Sequence, residues 1–286
     1  MTTSAQALPA GGAPRGLPLA RVWSWIRHHL LDGYAALALV YLFLPIAVVV
    51  AFSFNNPKGR FNYTWDGFTI KNWTHPFAVP GIGSAIRLSI EIALLSSTVA
   101  TILGALMALA LARYPFRGRG VVNTLVFLPM ATPEIVMGSS LLALFLQRNV
   151  ATGFVTILIA HIMFNISYVV VTVKARLAGF DRHLEEAAMD LGANEWMTFR
   201  KVTLPLIAPG VLSAGLLAFA LSIDDFVITY FNSGSTVTFP LFVWGSARVA
   251  TPPQINVIGT MIFVIAVGGM LTNIIIQNRR AKRGFA

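Results

Sequence analysis

The 286-residue sequence contains no cysteine and few charged residues. The lack of cysteine excludes disulfide bonds and cysteine-ligated metal sites. Charged residues make up 11% of the chain, whereas soluble domains contain about 25%, so the composition excludes an ordinary soluble protein. The sequence also lacks a G-x-x-x-x-G-K-[ST] loop, an H-E-x-x-H motif and a G-x-S-x-G motif, and its five histidines do not have metal-ligand spacing. No motif therefore supports a nucleotide site, a metal site or a catalytic triad.

Hydrophobic residues are abundant instead, at 56% of the chain. A transmembrane helix needs about 20 consecutive apolar residues, and the long runs here do not alternate as the strands of a membrane barrel would. Six stretches are long enough: 34–54, 84–112, 121–146, 153–173, 207–231 and 254–277. We therefore predict an all-α polytopic membrane protein with six transmembrane helices.

Three regions follow from this pattern. They are a cytoplasmic N-terminal tail that is partly disordered (1–33), a six-helix transmembrane domain (34–277) and a basic cytoplasmic tail (278–286). The start of the chain lacks an evident signal-peptide cleavage site, so we do not expect removal of a leader.

The net charge of +10 is distributed unevenly between the segments that join the apolar stretches. If the N-terminus is cytoplasmic, fifteen basic residues lie on the inner side and five on the outer side. Because basic residues are enriched in cytoplasmic loops, this asymmetry predicts that both termini are cytoplasmic. The excess charge is therefore a topology signal, and we expect no nucleic-acid partner.

The most polar segment lies between the fourth and fifth stretches, in an inner loop at 174–206. Its central part, Glu185 to Pro205, reads "EEAAMDLGANEWMTFRKVTLP". We expect a first short helix capped by Asp181 and ended at Gly192, because glycine tolerates the left-handed conformation that ends helices. We expect a second helix that is capped by Asn194 and stops before Pro205. An ordinary solvated loop is the alternative interpretation.

The spacing within this loop resembles the signature of ABC importer permeases, which is Glu-Ala-Ala, three residues, Gly, nine residues and Ile-x-Leu-Pro. The residues at the defined positions of this signature are Glu186, Ala187, Ala188, Gly192, Val202, Leu204 and Pro205. The one departure is Val202, which replaces isoleucine. By this resemblance, the segment is a coupling helix that docks on an ATP-hydrolysing subunit. The residues implied in coupling are Glu185, Glu186, Ala187, Ala188, Gly192, Leu204 and Pro205.

The resemblance extends from about residue 34 to residue 280 and is strongest to the second permease of spermidine/putrescine-type importers. The segments that carry it are "FSFN", "WDGFTIKNW", "ALARYPFRGRG", "LPMATPEIVMG" and "LLAFALSIDDFVITYF". The resemblance implies a type I ABC importer permease fold in a bacterial inner membrane and polyamine import by alternating access. It also implies four kinds of partner: a second permease in a heterodimer, two ATP-binding subunits, an extracytoplasmic binding protein and the lipid bilayer. ATP and Mg²⁺ would be bound by the ATP-binding subunits, and this chain would bind no cofactor and would not be an enzyme.

Four acidic residues fall inside the predicted spans: Glu91, Glu134, Asp224 and Asp225. A charge in lipid is costly, so such residues usually face the interior of the helix bundle and mark a pathway. We assign Glu134, Asp224 and Asp225 to a pathway for cations. Phe226 and Tyr230 lie near the acidic pair and could add cation–π contacts.

Each of these assignments has a structural alternative. Glu91 has Arg87 one helical turn away, and a local ion pair is the stronger interpretation there. Asp225 could instead cap a break in the fifth span. His161 and Asn165 fit interhelical hydrogen bonds better than ligand contacts.

Other functions remain open from the sequence. A permease for ferric iron, thiamine or a phosphonate would share the coupling signature, although the acids argue against an anionic cargo. A membrane enzyme or a passive channel is the alternative from another class. The absence of catalytic motifs weakens the first, and the docking loop weakens the second.

Overall fold

The computed structural model describes the backbone of residues 18–283, and the side chains of residues 29–269, 271, 272 and 275. The first part of the predicted N-terminal tail and the last three residues of the predicted C-terminal tail therefore lie outside the described residues. The helices within 18–283 are α1 (Pro18–Ser53), α2 (Lys71–Thr74), α3 (Ile82–Arg113), α4 (Arg119–Ala131), α5 (Glu134–Gln147), α6 (Phe154–Ala178), α7 (His183–Asp190), α8 (Glu195–Thr198), α9 (Leu204–Asp224), α10 (Val227–Asn232), α11 (Phe239–Val249) and α12 (Pro253–Arg283). The predicted all-α class is confirmed.

Four of the six predicted spans coincide with single helices that are long and apolar enough to cross a membrane: His29–Ser53, Ile82–Arg113, Phe154–Ala178 and Glu195–Asp224. The third predicted span is a pair of helices, α4 and α5, bent by 108°. The sixth coincides with α12, whose apolar part within the described side chains, Pro253–Gly269, is shorter than a full span. By length and composition the described residues thus contain four spans, or five with the bent pair, and the count of six stays a prediction.

The core of the domain is formed by α3, α6 and α9, which contact one another along much of their length. Gly104 allows the close approach of α3 and α6, because a Cβ at that position would lie 2.7 Å from Cγ1 of Val169. Ala108 on the same face of α3 is fully buried. Small residues at such crossings let helices pack closely in lipid.

The third and fifth predicted spans are each interrupted by a break in the helix. Between α4 and α5, Thr132 is extended with ψ 132°, because Pro133 disfavours a helical conformation at the residue before it. Between α9 and α10, Asp225 is extended with φ −61° and ψ 122°. Contacts between α5 and α10 bring the two breaks together.

The outer segment between α1 and α3 is ordered around Asn55, which is fully buried. Its side-chain Nδ2 donates to Oδ1 of Asn62 at 2.6 Å, and its Oδ1 accepts from the backbone N–H of Asp66 at 2.9 Å. A bridge between Phe61 and Thr251 ties the segment to the start of α12. The segment therefore forms a small, hydrogen-bonded unit that packs against the start of α12.

The first part of the inner loop contains the two short helices that the sequence predicts. Its first helix is α7, whose N-cap position is occupied by Arg182 and not by Asp181. Asp181, one residue earlier, still bonds to the first turn, because its Oδ1 accepts from the backbone N–H of His183 at 3.0 Å. Gly192 ends the helix with φ +89°. Asn194 caps α8 by accepting from the N–H of Met197 at 2.8 Å.

The prediction that the second helix stops before Pro205 is wrong. The chain continues from α8 through a π-helical turn, Phe199–Thr203, directly into α9. In this turn the N–H of Leu204 bonds to the carbonyl of Phe199, five residues earlier. Pro205 lies in the first turn of α9, where the hydrogen-bonding register has just been reset and a residue without an N–H is tolerated.

Candidate functional site

A cavity of about 600 Å³ lies where the two interrupted spans come together. Its lining includes three of the predicted pathway acids, Glu134, Asp224 and Asp225, together with Phe226. Pro129 and Pro133 also contribute to its wall. We call this space the acidic cavity. Tyr230 is 56% exposed and is not part of the lining, but its ring lies 5.6 Å from the ring of Phe226.

Glu134 and Asp224 present exposed side chains. Glu134 begins α5 immediately after the break, and Asp224 is the last residue of α9. Among the side chains that the structure describes, neither carboxylate forms a salt bridge with a basic residue. Within the described part of the chain, the acidic cavity thus holds two carboxylates without an arginine or lysine partner.

Asp225 differs from its neighbour because its side chain is only 7% exposed. Its Oδ2 accepts hydrogen bonds from the backbone N–H and the hydroxyl of Thr229, both at 2.8 Å. The same oxygen lies 3.3 Å from Nε2 of His161. Asp225 therefore stabilises the break in the fifth span by hydrogen bonds to Thr229 within α10, although the N-cap position of α10 itself is Phe226.

His161 extends this contact into a chain of hydrogen bonds through the bundle. Its Nδ1 lies 2.7 Å from the hydroxyl of Ser222, which in turn lies 2.9 Å from the hydroxyl of Ser96. Its Nε2 lies 2.9 Å from the hydroxyl of Thr229. The network joins α3, α6, α9 and α10, so the predicted interhelical role of His161 is confirmed.

The same prediction is wrong for Asn165. Its side chain is fully buried, but neither Nδ2 nor Oδ1 has a hydrogen-bond partner in the described part of the chain. Glu91, by contrast, forms the expected ion pair: its Oε1 lies 2.7 Å from Nε of Arg87.

Aromatic rings continue from the cavity toward α11. The ring of Phe226 lies 5.2 Å from that of Trp244 on α11, and the guanidinium of Arg248 lies 4.7 Å from the same indole. Trp244 was not predicted as part of the site. It lies outside the six apolar stretches, and only the adjacent aromatic composition could have suggested it.

The inner loop presents a mixed polar and apolar surface. Glu186 and Ala187 on α7 are exposed, and Leu191, beside Gly192, is 90% exposed. The other large apolar side chains exposed on this surface are Leu184, Met189, Trp196 and Met197. Single exposed apolar side chains are ordinary, whereas the inner loop exposes several of them close together.

A hydrogen-bonded pair precedes the exposed surface of α7. Asp181 accepts from the backbone N–H of His183 and lies 2.7 Å from Nδ1 of its ring. The side-chain hydrogen bond to Asp181 raises the pKa of His183, and the backbone hydrogen bond from His183 lowers the pKa of Asp181. The pair is exposed to solvent and forms the start of the helix.

Glu185 does not share the orientation of Glu186. Its carboxylate contacts the guanidinium of Arg113 through both oxygens, and it accepts a hydrogen bond from the hydroxyl of Thr203. Both charged side chains are largely buried, at 15% and 16% exposure. Of the coupling residues that the sequence predicts, Glu185 therefore faces the membrane domain.

The family described as "Binding-protein-dependent transport system inner membrane component" matches residues 100–281. The chain belongs to this family. The match contains the inner loop and the acidic cavity, so the permease is the membrane component of a transport system and not an enzyme.

Two relatives match most of this permease. It is 39% identical over 241 residues to the spermidine/putrescine transport system permease protein PotC of Haemophilus influenzae, covering 84% of this chain and 93% of that protein. It is 38% identical over 234 residues to the putrescine transport system permease protein PotI of Escherichia coli, covering 79% and 83%.

Solved structures confirm the permease fold. A chain of a bacterial ABC transporter involved in the import of alginate matches with a TM-score of 0.62 at 18% identity, covering 91% of this permease and 99% of that chain. A chain of the MetNI methionine ABC transporter matches with a TM-score of 0.53 at 14% identity, over 68% of this permease and 97% of that chain.

No group of three or more histidine, cysteine, aspartate or glutamate side chains within the described part of the permease is arranged to hold a metal ion. Of the three carboxylates that line the acidic cavity, Glu134 and Asp224 lie on separate helices, α5 and α9.

Proposed function

We propose that this permease carries polyamines such as spermidine and putrescine into a bacterial cell by alternating access. It would form a heterodimer with a second permease in the inner membrane, with both termini in the cytoplasm. Two ATP-binding subunits would hold the ATP and Mg²⁺, and an extracytoplasmic binding protein would deliver the cargo. The names of the relatives support this cargo, since both PotC and PotI are polyamine permeases.

The observation that carries the proposal is that Glu134 and Asp224 line one cavity and that, among the described side chains, neither has a basic partner. A polyamine carries ammonium groups separated by methylenes, so carboxylates on two different helices fit it better than one cluster would. Phe226 adds an aromatic surface to the same cavity, which can contact methylenes and ammonium groups alike. An anionic phosphonate would be repelled from this space.

Coupling would occur through the inner loop. The proposed docking residues on an ATP-binding subunit are the exposed Glu186 and Ala187 with Ala188 and Gly192, while Leu204 and Pro205 begin the span that receives the motion. The exposed apolar cluster around Leu191 supports docking, because a passive channel has no use for such a contact.

The cargo assignment is tested with Glu134→Gln and Asp224→Asn in reconstituted transporters. Each change removes one charge and keeps size, so spermidine uptake should fall by about tenfold or more, as expected when a charge-assisted hydrogen bond is lost. Putrescine uptake should fall less, because fewer of its ammonium groups contact the protein. Uptake of labelled spermidine in the presence of competing thiamine or ferric iron measures the preference of the transporter for polyamines over these cargoes.

Glu91→Gln is the matched control, since Glu91 is already paired with Arg87. It removes a carboxylate from a span without touching the acidic cavity, and uptake should stay near the wild-type rate. Normal spermidine uptake in the Glu134→Gln, Asp224→Asn double variant at normal protein level would rule out this cavity as the polyamine pathway.

A further inference from the structure

Glu185 forms a contact that joins three separate elements. Its two carboxylate oxygens bind the guanidinium of Arg113, the last residue of α3. One of those oxygens also accepts from the hydroxyl of Thr203, the last residue before α9. The guanidinium of Arg113 lies 5.0 Å from the ring centre of Phe180, which follows α6. We call the contacts of Glu185 with Arg113 and Thr203 the carboxylate link.

Among the described residues, the carboxylate link is the principal polar attachment of α7 to the body of the permease. No residue of α7 is fully buried, so packing alone holds the helix weakly. A weaker contact to the membrane domain joins Nη2 of Arg182, just before α7, to the carbonyl of Ala112 at 3.4 Å. Glu186, one residue further, is exposed. Two adjacent glutamates on one helix therefore face opposite ways, one toward the membrane domain and one toward the cytoplasm.

The electrostatic setting stabilises this contact at both ends. Arg113 lies in the last turn of α3, where the partial negative charge of the helix end favours a cation. Glu185 lies in the first turn of α7, where the partial positive charge favours an anion. The bidentate geometry restricts rotation of both side chains. Because the pair is largely buried, solvent screens it less than a surface pair.

We propose that Glu185 is a transmission residue that ties the docking helix to the membrane spans, and that it does not itself dock on the ATP-binding subunit. This inference rests on the coupling role given under the proposed function. A displacement of α7 would move the inner end of α3 through Arg113 and the start of α9 through Thr203. Because α9 ends at Asp224, the carboxylate link connects the docking helix to the span that lines the acidic cavity.

The first experiment measures attachment directly and does not depend on the cargo. The chain has no native cysteine, so spin labels at Asp190→Cys on α7 and Leu103→Cys on α3 report one distance; both positions are exposed. In the assembled transporter this distance should have a narrow distribution. Glu185→Gln should broaden it clearly, whereas the control Glu195→Gln, which removes an exposed carboxylate of the same loop, should leave its width unchanged. Equal widths in all three proteins would overturn the inference.

Two further variants keep the test decisive if Glu185→Gln is poorly produced. Thr203→Val removes one contact of the carboxylate and keeps both charges, so it should broaden the distribution less. The exchanged pair Arg113→Glu with Glu185→Arg restores the opposite charges and should narrow the distribution again relative to Glu185→Arg alone. Failure of both variants to change the width in these directions would also contradict the link.

The second experiment separates transmission from docking in the same complexes. Glu185→Gln should still copurify with the ATP-binding subunit and hydrolyse ATP, but uptake per ATP hydrolysed should fall by about tenfold, as expected for loss of a largely buried charge contact. Glu186→Gln should instead reduce copurification. Loss of copurification in Glu185→Gln would make it a docking residue and overturn the inference. Absence of polyamine uptake in the wild-type complex would contradict the proposed cargo, while the distance measurement would still decide the role of Glu185.

Discussion

Neighbouring acidic residues in this permease have different surroundings. Asp224 is exposed to the acidic cavity, whereas the next residue, Asp225, is buried against His161 and Thr229. The backbone break between α9 and α10 turns consecutive side chains in different directions. Asp224 is thereby accessible from the cavity. Asp225 stabilises the break in the helix that gives Asp224 this position.

This difference predicts opposite effects of two matched substitutions. Asp225→Asn should destabilise the protein by about 1–3 kcal/mol, because an amide cannot replace the carboxylate toward every hydrogen-bond donor around it. Asp224→Asn should leave stability unchanged and reduce transport. Thermal unfolding of the purified permease, monitored by loss of the folded species on gel filtration, measures the first effect. Equal unfolding temperatures for the two variants would contradict the assigned roles.

The sequence could identify both aspartates as unusual but could not separate them. The cost of a charge in lipid selects every acid in a span, and it acts equally on Asp224 and Asp225. Which of them reaches the cavity depends on the dihedral angles at the break and on the position of His161 in another helix. The sequence likewise cannot separate Glu185 from Glu186. The contact that distinguishes Glu185 is with Arg113, which is 72 residues away in the chain.

At the scale of the element, proline and glycine decide where helices end or bend. Pro133 lies at the sharp turn of 108° between α4 and α5, because proline disfavours a helical conformation at the residue before it. Pro205 does not end its helix, because the π-helical turn before it shifts the hydrogen bonds by one residue. A proline rule based on the neighbouring residues alone cannot foresee that shift, which depends on tertiary packing of Thr203 and Thr198, both buried.

Gly192 allows a test of the inner loop as an element. Its φ of +89° disfavours side chains, and a Cβ there would have nothing within 4 Å. Backbone strain is therefore the only cost of substitution. Gly192→Val should strain the turn by roughly 1–2 kcal/mol and reduce ATP-driven uptake, whereas Gly192→Asn should retain most of it because asparagine tolerates this conformation. Uptake per ATP hydrolysed is the measurement, and equal losses in both variants would show that conformation at Gly192 does not matter.

At the scale of the whole molecule, the lengths of the helices agree with the membrane topology that the charge asymmetry predicts. Helix α3 has 32 residues and is about 48 Å long at 1.5 Å per residue, whereas the hydrocarbon core is about 30 Å thick. Its ends therefore project beyond the core, which places Arg113 and the carboxylate link at the membrane surface or outside it. Helix α1 buries none of the residues in its most apolar window, so its sides are available to lipid or to the second permease.

The final prediction concerns the orientation of the chain in the membrane, and two exposed glycines allow a matched test of it. Gly59 lies in the segment between α1 and α3, and Gly120 lies at the start of α4; both are exposed, and a Cβ at either position has nothing within 4 Å. Because the chain has no cysteine, Gly59→Cys and Gly120→Cys each introduce one unique thiol with little effect on packing.

Fifteen basic residues on the side of Gly120 against five on the side of Gly59 predict that Gly59 is outside and Gly120 is inside. A membrane-impermeant maleimide should label Gly59→Cys in spheroplasts, and it should label Gly120→Cys only after permeabilisation. The permeabilised sample also shows that the thiol at position 120 is reactive, so its protection in intact spheroplasts reflects the membrane. The reverse pattern would invert the orientation and place the inner loop where no cytoplasmic ATP-binding subunit could reach it, which would contradict the coupling mechanism together with the topology.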